Sequence, residues 1–287
     1  MTVETGRTRY HYGFYAAMKV EYDIIHANVT YEQEIQLGED PIRLDFLILK
    51  KDASVVLTDP IGEFFKAVNL FEYKSPEDGL SIDDFYKAQG YGLIYKGFDR
   101  KVNELPIEDM TLTLIRHSYP RELMKALKNA GFIIHEEYPG IFRAEGKISI
   151  PVQLVISSRL PEGEYDGLKL LAKGCTKDAV LYYAERAVAS GDENIKMNAG
   201  TVIGVCLDIN EKLGTELKED GVMNEVIKDI FKKDFDEAEN RGITKEKERV
   251  ATDMLRKKLP LSLIEEISRL SEDTIRNIAQ NIGVATL

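Results

Sequence analysis

Histidine and cysteine are scarce in this chain, with four of the first and two of the second among 287 residues. His11, His26, His117 and His135 are scattered, so no histidine-based metal site is legible. Cys175 and Cys206 lie far from any zinc-type or redox-pair spacing and read as buried thiols in a reducing, cytoplasmic compartment. No apolar run approaches the length of a bilayer span, and Met1-Thr2-Val3-Glu4 does not begin a secretory signal, so no membrane contact is expected. Basic charge is also short: 38 Lys and Arg stand against 49 Asp and Glu, a net charge of −11. Proteins that hold DNA by its phosphates usually present a basic surface, so the balance counts against a nucleic-acid enzyme unless the basic charge is local. Much of the acid lies late, from Glu216 to Glu239. Arg43, Lys50, Lys51, Lys66, Lys87, Lys96, Arg100 and Lys101 gather around the stretch described next.

What remains is an ordinary globular composition, 44% hydrophobic and 30% charged, with length enough for one large domain or two modest ones. Ile42 to Leu49 is apolar after its opening arginine except for Asp45. Aliphatic residues at nearly every position predict a strand buried on both faces. A carboxylate inside it is costly to desolvate without a cation or a good set of hydrogen bonds. In Asn69 to Ser75 the strand period of two puts Leu70, Glu72 and Lys74 on one face and Phe71 and Tyr73 on the other. Two carboxylates and an ammonium on neighbouring buried strands repel or pair unless a divalent cation sits between the acids. Hard oxygen ligands suit Mg²⁺ or Mn²⁺, which polarises a phosphodiester and lowers the pKa of a bound water. A structural ion pair at a sheet surface is the simpler account of any one of these residues, and the three together shift the expectation to a site.

Asp45 followed by Glu72-Tyr73-Lys74 on the next strand resembles the D…(D/E)xK signature of the PD-(D/E)xK nuclease superfamily. Phe71 to Asp78 resembles its Rpn-like bacterial branch, the recombination-promoting, transposase-associated nucleases. The resemblance covers roughly residues 8 to 150, and Leu44 stands where the signature has proline. It implies an α/β fold of the restriction-endonuclease kind, a mixed central sheet flanked by helices with an αβββαβ core. It implies a metal-dependent DNA endonuclease in which Asp45 and Glu72 bind Mg²⁺ or Mn²⁺ and Lys74 positions or activates the attacking water. Glu21, on the apolar face of the first helix, is a candidate further ligand, and Gln89, facing the sheet from the helix after Lys74, a candidate supporting residue. The rival reading is a catalytically inactive nuclease-fold scaffold that binds a partner protein or nucleic acid.

Periodicity places helices at Tyr12 to Ile25, from a Ser81 or Asp83 cap to about Tyr95, and at Pro120 to Ala130 with Gly131 as its C-cap. Strands are expected at Val29 to Leu37, around Asp45, around Glu72, and at Met110 to His117. Residues 1–160 are expected to form the nuclease-like domain. Residues 161–240 are expected as a helical accessory region that packs on the core or makes an oligomer, with helices at Leu168 to Ala189, Ala199 to Leu213 and Val222 to Asn240. Residues 241–287 read as a short helical tail resembling a helix-turn-helix, with a capped start at Ser271.

Overall fold

The computed structural model describes residues 3–25, 27–37, 42–52, 54–98, 101–218, 221–256 and 261–283; the side chains of residues 3–8, 33–37 and 42–46, with others in 214–253 and at 262, lie outside that description. The protein is α/β and divides into two compact units, Met1–Ile230 and Phe231–Leu287.

The first unit is built on a seven-stranded mixed sheet. Helix α1 (Val3–Ile24) leads into strands β1 (Val29–Leu37), β2 (Ile42–Lys51) and β3 (Val68–Lys74). After helix α2 (Ile82–Gly97) come strand β4 (Met110–Arg116) and helix α3 (Arg121–Asn129), then strands β5 (Ile133–Tyr138), β6 (Ile141–Glu145) and β7 (Val152–Ile156). The spatial order is β1-β2-β3-β4-β7-β6-β5. β1, β2 and β3 run antiparallel, β3, β4 and β7 run parallel, and β6 and β5 return antiparallel. In β2, Leu47, Ile48 and Leu49 are all fully buried, as its unbroken aliphatic run predicts for a strand covered on both faces.

The two faces carry different helices. Leu70, Leu112, Leu114 and Leu154 pack under Phe85 of α2 and Leu123 and Leu127 of α3. On the other face the alternate residues of β3 meet α1: Phe14 stacks on Tyr73 with ring centroids 4.8 Å apart and lies 6.4 Å from Phe71. Each buried aromatic removes a large apolar area from water, so this contact fixes α1 to the sheet. The connection before β3 is fastened by Asn69, whose side chain accepts from the Lys66 amide at 2.8 Å and donates to Leu49 and Lys66 carbonyls.

Helices α4 (Asp166–Leu170), α5 (Lys177–Ala189), α6 (Glu193–Ile209) and α7 (Glu211–Lys218) belong to the same unit as the sheet. α6 crosses α1 closely because Gly13 carries no side chain: a Cβ there would lie 2.7 Å from Leu171 and 3.1 Å from Val205. Gly204 of α6, by contrast, faces open space. The single helix expected over Leu168 to Ala189 is broken. Gly174 turns the chain at φ +85°, and Thr176 caps α5 by accepting from the Ala179 amide at 3.2 Å.

Helix α8 (Gly221–Arg256) runs on without a break past Asn240, where the helix from Val222 was expected to end. In the second unit it is followed by α9 (Leu261–Ser268) and α10 (Glu272–Asn281), the latter capped by Ser271 as its sequence predicts. Ala251, Met254, Leu255, Ile264, Ile275 and Ala279 form the unit's own core. No helix among the described residues is long and apolar enough to cross a membrane.

Candidate functional site

β3 ends in Glu72-Tyr73-Lys74, and the strand alternation puts Glu72 and Lys74 on the α2 face. Lys74 Nζ lies 3.0 Å from Glu72 Oε1 and 2.9 Å from Asp84 Oδ1. The Lys74 side chain is only 8% exposed and that of Glu72 15%. This is a nearly enclosed triad of one cation and two carboxylates, at the carboxyl end of a strand in a parallel pair, where open α/β sheets place their ligands.

Asp84 is delivered by the start of α2. Ser81 is the N-cap: its hydroxyl accepts from the Asp84 amide at 3.2 Å, while Asp84 Oδ2 accepts from the Ser81 amide at 2.8 Å and from its hydroxyl at 2.6 Å. One oxygen of Asp84 therefore closes a capping box while the other holds Lys74. Burial pushes the Asp84 carboxyl up, but the Ser81 hydrogen bonds and the Lys74 ammonium outweigh it and bring its pKa down to about 2. Burial works to discharge Lys74, and the Glu72 charge with the hydrogen bonds to both carboxylates overcomes it, so its pKa stands above the ordinary lysine value. Lys74 is held as an ammonium.

Beside it, Arg116 pairs in register with Lys74 across β3 and β4. Its guanidinium donates to the Asp78 carbonyl at 3.1 Å and the Ser118 carbonyl at 3.1 Å, tying the loop before α2 to the loop after β4. Ser75 adds a hydrogen bond to Asp78 within that loop, at 2.9 Å.

Of the residues singled out in the sequence, the fold brings Glu72 and Lys74 together. Asp45 lies in β2, and its side chain is outside the described residues. Its backbone stands at a register slip: Gln33 pairs with Leu47 but Ile35 with Leu44, so Glu34 opposes both Asp45 and Phe46. Such bulges re-aim side chains and recur beside active sites. Gln89 is buried on α2, and its amide is engaged by the chain itself. It donates to the Ile150 carbonyl at 2.8 Å and accepts from the Ile150 amide at 3.2 Å, fastening α2 to the segment entering β7.

Glu21 is not brought to Lys74. It belongs to α1, on the sheet face opposite α2. There it is surrounded by the charges of Arg186, Asp166, Asp59 and Lys169. The apolar-face position of Glu21 is thus explained by a second buried polar cluster. Of the basic residues expected around the site, Lys50 is paired with Glu32, Lys87 lies over the Tyr91 ring, and Lys96 donates to Asn103. Arg100 and the Arg43 side chain are outside the described residues.

Asp84 is the site residue that sequence reading missed. The available signal was its spacing: Ser81-x-x-Asp84 is a capping box, and a helix starting just beyond a strand end directs its first-turn acids back toward that end. Among the described residues no group of three or more His, Cys, Asp or Glu side chains is gathered to cage a metal ion. No protein-family model, curated protein or solved structure matches this chain.

Proposed function

We propose that the end of β3 is the reaction centre of a metal-dependent phosphodiesterase acting on DNA, of the PD-(D/E)xK kind and its Rpn-like branch. The observation that carries the reading is the Lys74 ammonium held between Glu72 and Asp84 at the carboxyl end of a buried strand. It is supported by the element order α1-β1-β2-β3-α2-β4, with β1 to β3 antiparallel and β3 parallel to β4, which is the order expected of an αβββαβ nuclease core.

The donor chemistry fits a hard divalent cation. The two described carboxylates flank one ammonium, and carboxylate oxygen is the ligand Mg²⁺ and Mn²⁺ prefer. Glu72, with Asp45 from β2, would hold the ion. When bound, such an ion supplies Lewis-acid polarisation of the phosphodiester and a water of lowered pKa. Lys74, kept protonated, would offer N–H donors and positive charge to the negative charge that develops on the phosphoryl oxygens, rather than taking a proton from water. Asp84 keeps that ammonium in place.

One observation favours the rival reading, a nuclease-fold scaffold. Lys74 and its two carboxylates satisfy one another, as in a structural buried ion cluster. Mn²⁺ titration of the full chain, read by the paramagnetic signal of the free ion, separates the two. Stoichiometric binding lost in Glu72→Gln supports the nuclease reading, and the absence of binding supports the scaffold.

A further inference from the structure

On the α1 face of the sheet, away from Lys74, a cavity of about 220 Å³ is lined by Glu21, Tyr22, Ile25, Asp59, Pro60 and Tyr165, among others. Three carboxylate residues line it, the exposed Glu164 and two with a buried oxygen that makes no hydrogen bond, Glu21 Oε1 and Asp59 Oδ2. An unpaired buried carboxylate oxygen forfeits its hydration with nothing in return. The other oxygen of Asp59 is fixed. Oδ1 accepts from the Gly62 amide at 2.7 Å and from the Tyr165 hydroxyl. Tyr165 itself is held in the left-handed region, at φ 50°, and its hydroxyl also accepts from the Ile61 amide at 3.1 Å. Tyrosine adopts that backbone at a cost, and strain of this kind is concentrated at sites that position groups.

The cations nearby are engaged elsewhere. Lys169 pairs with Asp166 at 3.0 Å and donates to the Pro161 carbonyl; Arg186 pairs with the other oxygen of Asp166 at 3.4 Å. Glu21 Oε1 and Asp59 Oδ2 thus lack a donor, and a small cationic donor would satisfy both oxygens. Apart from Gly163 and the exposed Glu164, the remaining walls are apolar: Ile25, Pro60 and the rings of Tyr22 and Tyr165. A fully hydrated metal ion gains nothing from such walls, whereas an alkyl chain does, and tyrosine faces attract ammonium groups.

We propose that this cavity binds a primary alkylammonium group, whose N–H donors are taken by Glu21 and Asp59 and whose hydrocarbon lies against Ile25, Pro60 and the tyrosine rings. Binding is linked to a proton. Burial raises the Glu21 carboxyl to about 7, with Asp166 and Asp59 adding to the rise and Arg186 and Lys169 opposing it. The facing hydroxyls of Tyr22, Tyr165 and Tyr183 are pushed well above their ordinary range by burial and stay protonated. The ammonium takes the place of the Glu21 proton, so affinity rises with pH until Glu21 is ionised and then levels.

The probe is n-butylammonium, titrated into the full-length chain by calorimetry or NMR, beside n-butanol as its neutral counterpart and Mg²⁺ as a competing ion. Saturable n-butylammonium binding is expected at pH 8, weaker by about tenfold at pH 6, as protonation of a group titrating near 7 requires. Glu21→Gln, checked for an intact melting transition, removes it, and Asp59→Asn does the same in a second, independently folded variant. The proposal is overturned by any of four results. These are no saturable binding, n-butanol binding as tightly as the amine, affinity unchanged in folded Glu21→Gln, or Mg²⁺ displacing the amine.

Discussion

Lys74 Nζ sits 2.9 Å from Asp84 Oδ1, while Oδ2 of that same carboxylate closes the Ser81 capping box at the start of α2. The helix start and the strand end are therefore tied through one side chain, and the position of Lys74 depends on how well α2 is capped. Asp84→Ala removes both functions. The expected cost is about 1 kcal/mol for the capping box plus the loss of a partner to a nearly enclosed ammonium, which adds about 1–3 kcal/mol. Urea denaturation of the wild type and variant checks this; an unchanged midpoint would contradict it.

The same carboxylate sets an acid limb. Its folded pKa of about 2 lies below the ordinary 3.8, so its stabilisation is complete above about pH 4 and is lost as pH falls toward 2. Thermal melts between pH 5 and 2 should show a decline that is smaller in Asp84→Asn than in the wild type.

Glu21 acts in the opposite sense. Its folded pKa of about 7 lies above the ordinary 4.5, so the folded state binds the proton more tightly than the unfolded chain does. Its contribution is full below about 4.5, falls as pH rises to about 7, and is flat beyond. Glu21→Gln should therefore gain stability relative to the wild type at pH 8, by up to about 3 kcal/mol from a shift of this size, and little at pH 4. Denaturation midpoints at the two pH values measure it, and a variant less stable at pH 8 would contradict the assignment.

Gln89 fastens α2 to Ile150 by two hydrogen bonds to the backbone. Gln89→Leu strands a buried amide and carbonyl at Ile150 and should cost about 2 kcal/mol or more. Glutamate at this position can still accept from the Ile150 amide but loses the donor to its carbonyl, so Gln89→Glu should recover only part. Hydrogen exchange at the Ile150 amide reports the clamp directly.

How much of this could be read in the chain depends on the reach of each signal. β1 is found where alternation predicts it, and the faces of β3 fall as the period of two requires, since both patterns are local. The Ser81 cap and the Gly131 turn after α3 were legible because they rest on residue types with specific backbone preferences. The break between α4 and α5 was missed because Gly174 and Thr176 interrupt an apolar pattern that runs on past them. Helices α4 to α7 belong to the sheet's unit, joined by contacts such as that of α6 with α1 at Gly13, which no local pattern encodes. In the site, Glu72 and Lys74 are two residues apart and were visible together. Asp84 is ten residues beyond Lys74, and its role appears only when α2 folds back over β3. Glu21 stood out correctly as an acid on an apolar face, but its partners Asp59, Asp166 and Arg186 are distant in sequence, so its neighbourhood could not be read.

The measurement that bears most directly on the proposed function is cleavage of supercoiled plasmid DNA by the purified full-length chain. It is run with Mg²⁺, with Mn²⁺ and with chelator, beside Lys74→Ala and Asp45→Ala variants whose folding is checked by circular dichroism. The account predicts nicking that requires the metal and disappears in both folded variants. Folded wild-type protein that leaves the plasmid intact under either metal, or nicking that persists in both variants, would contradict it.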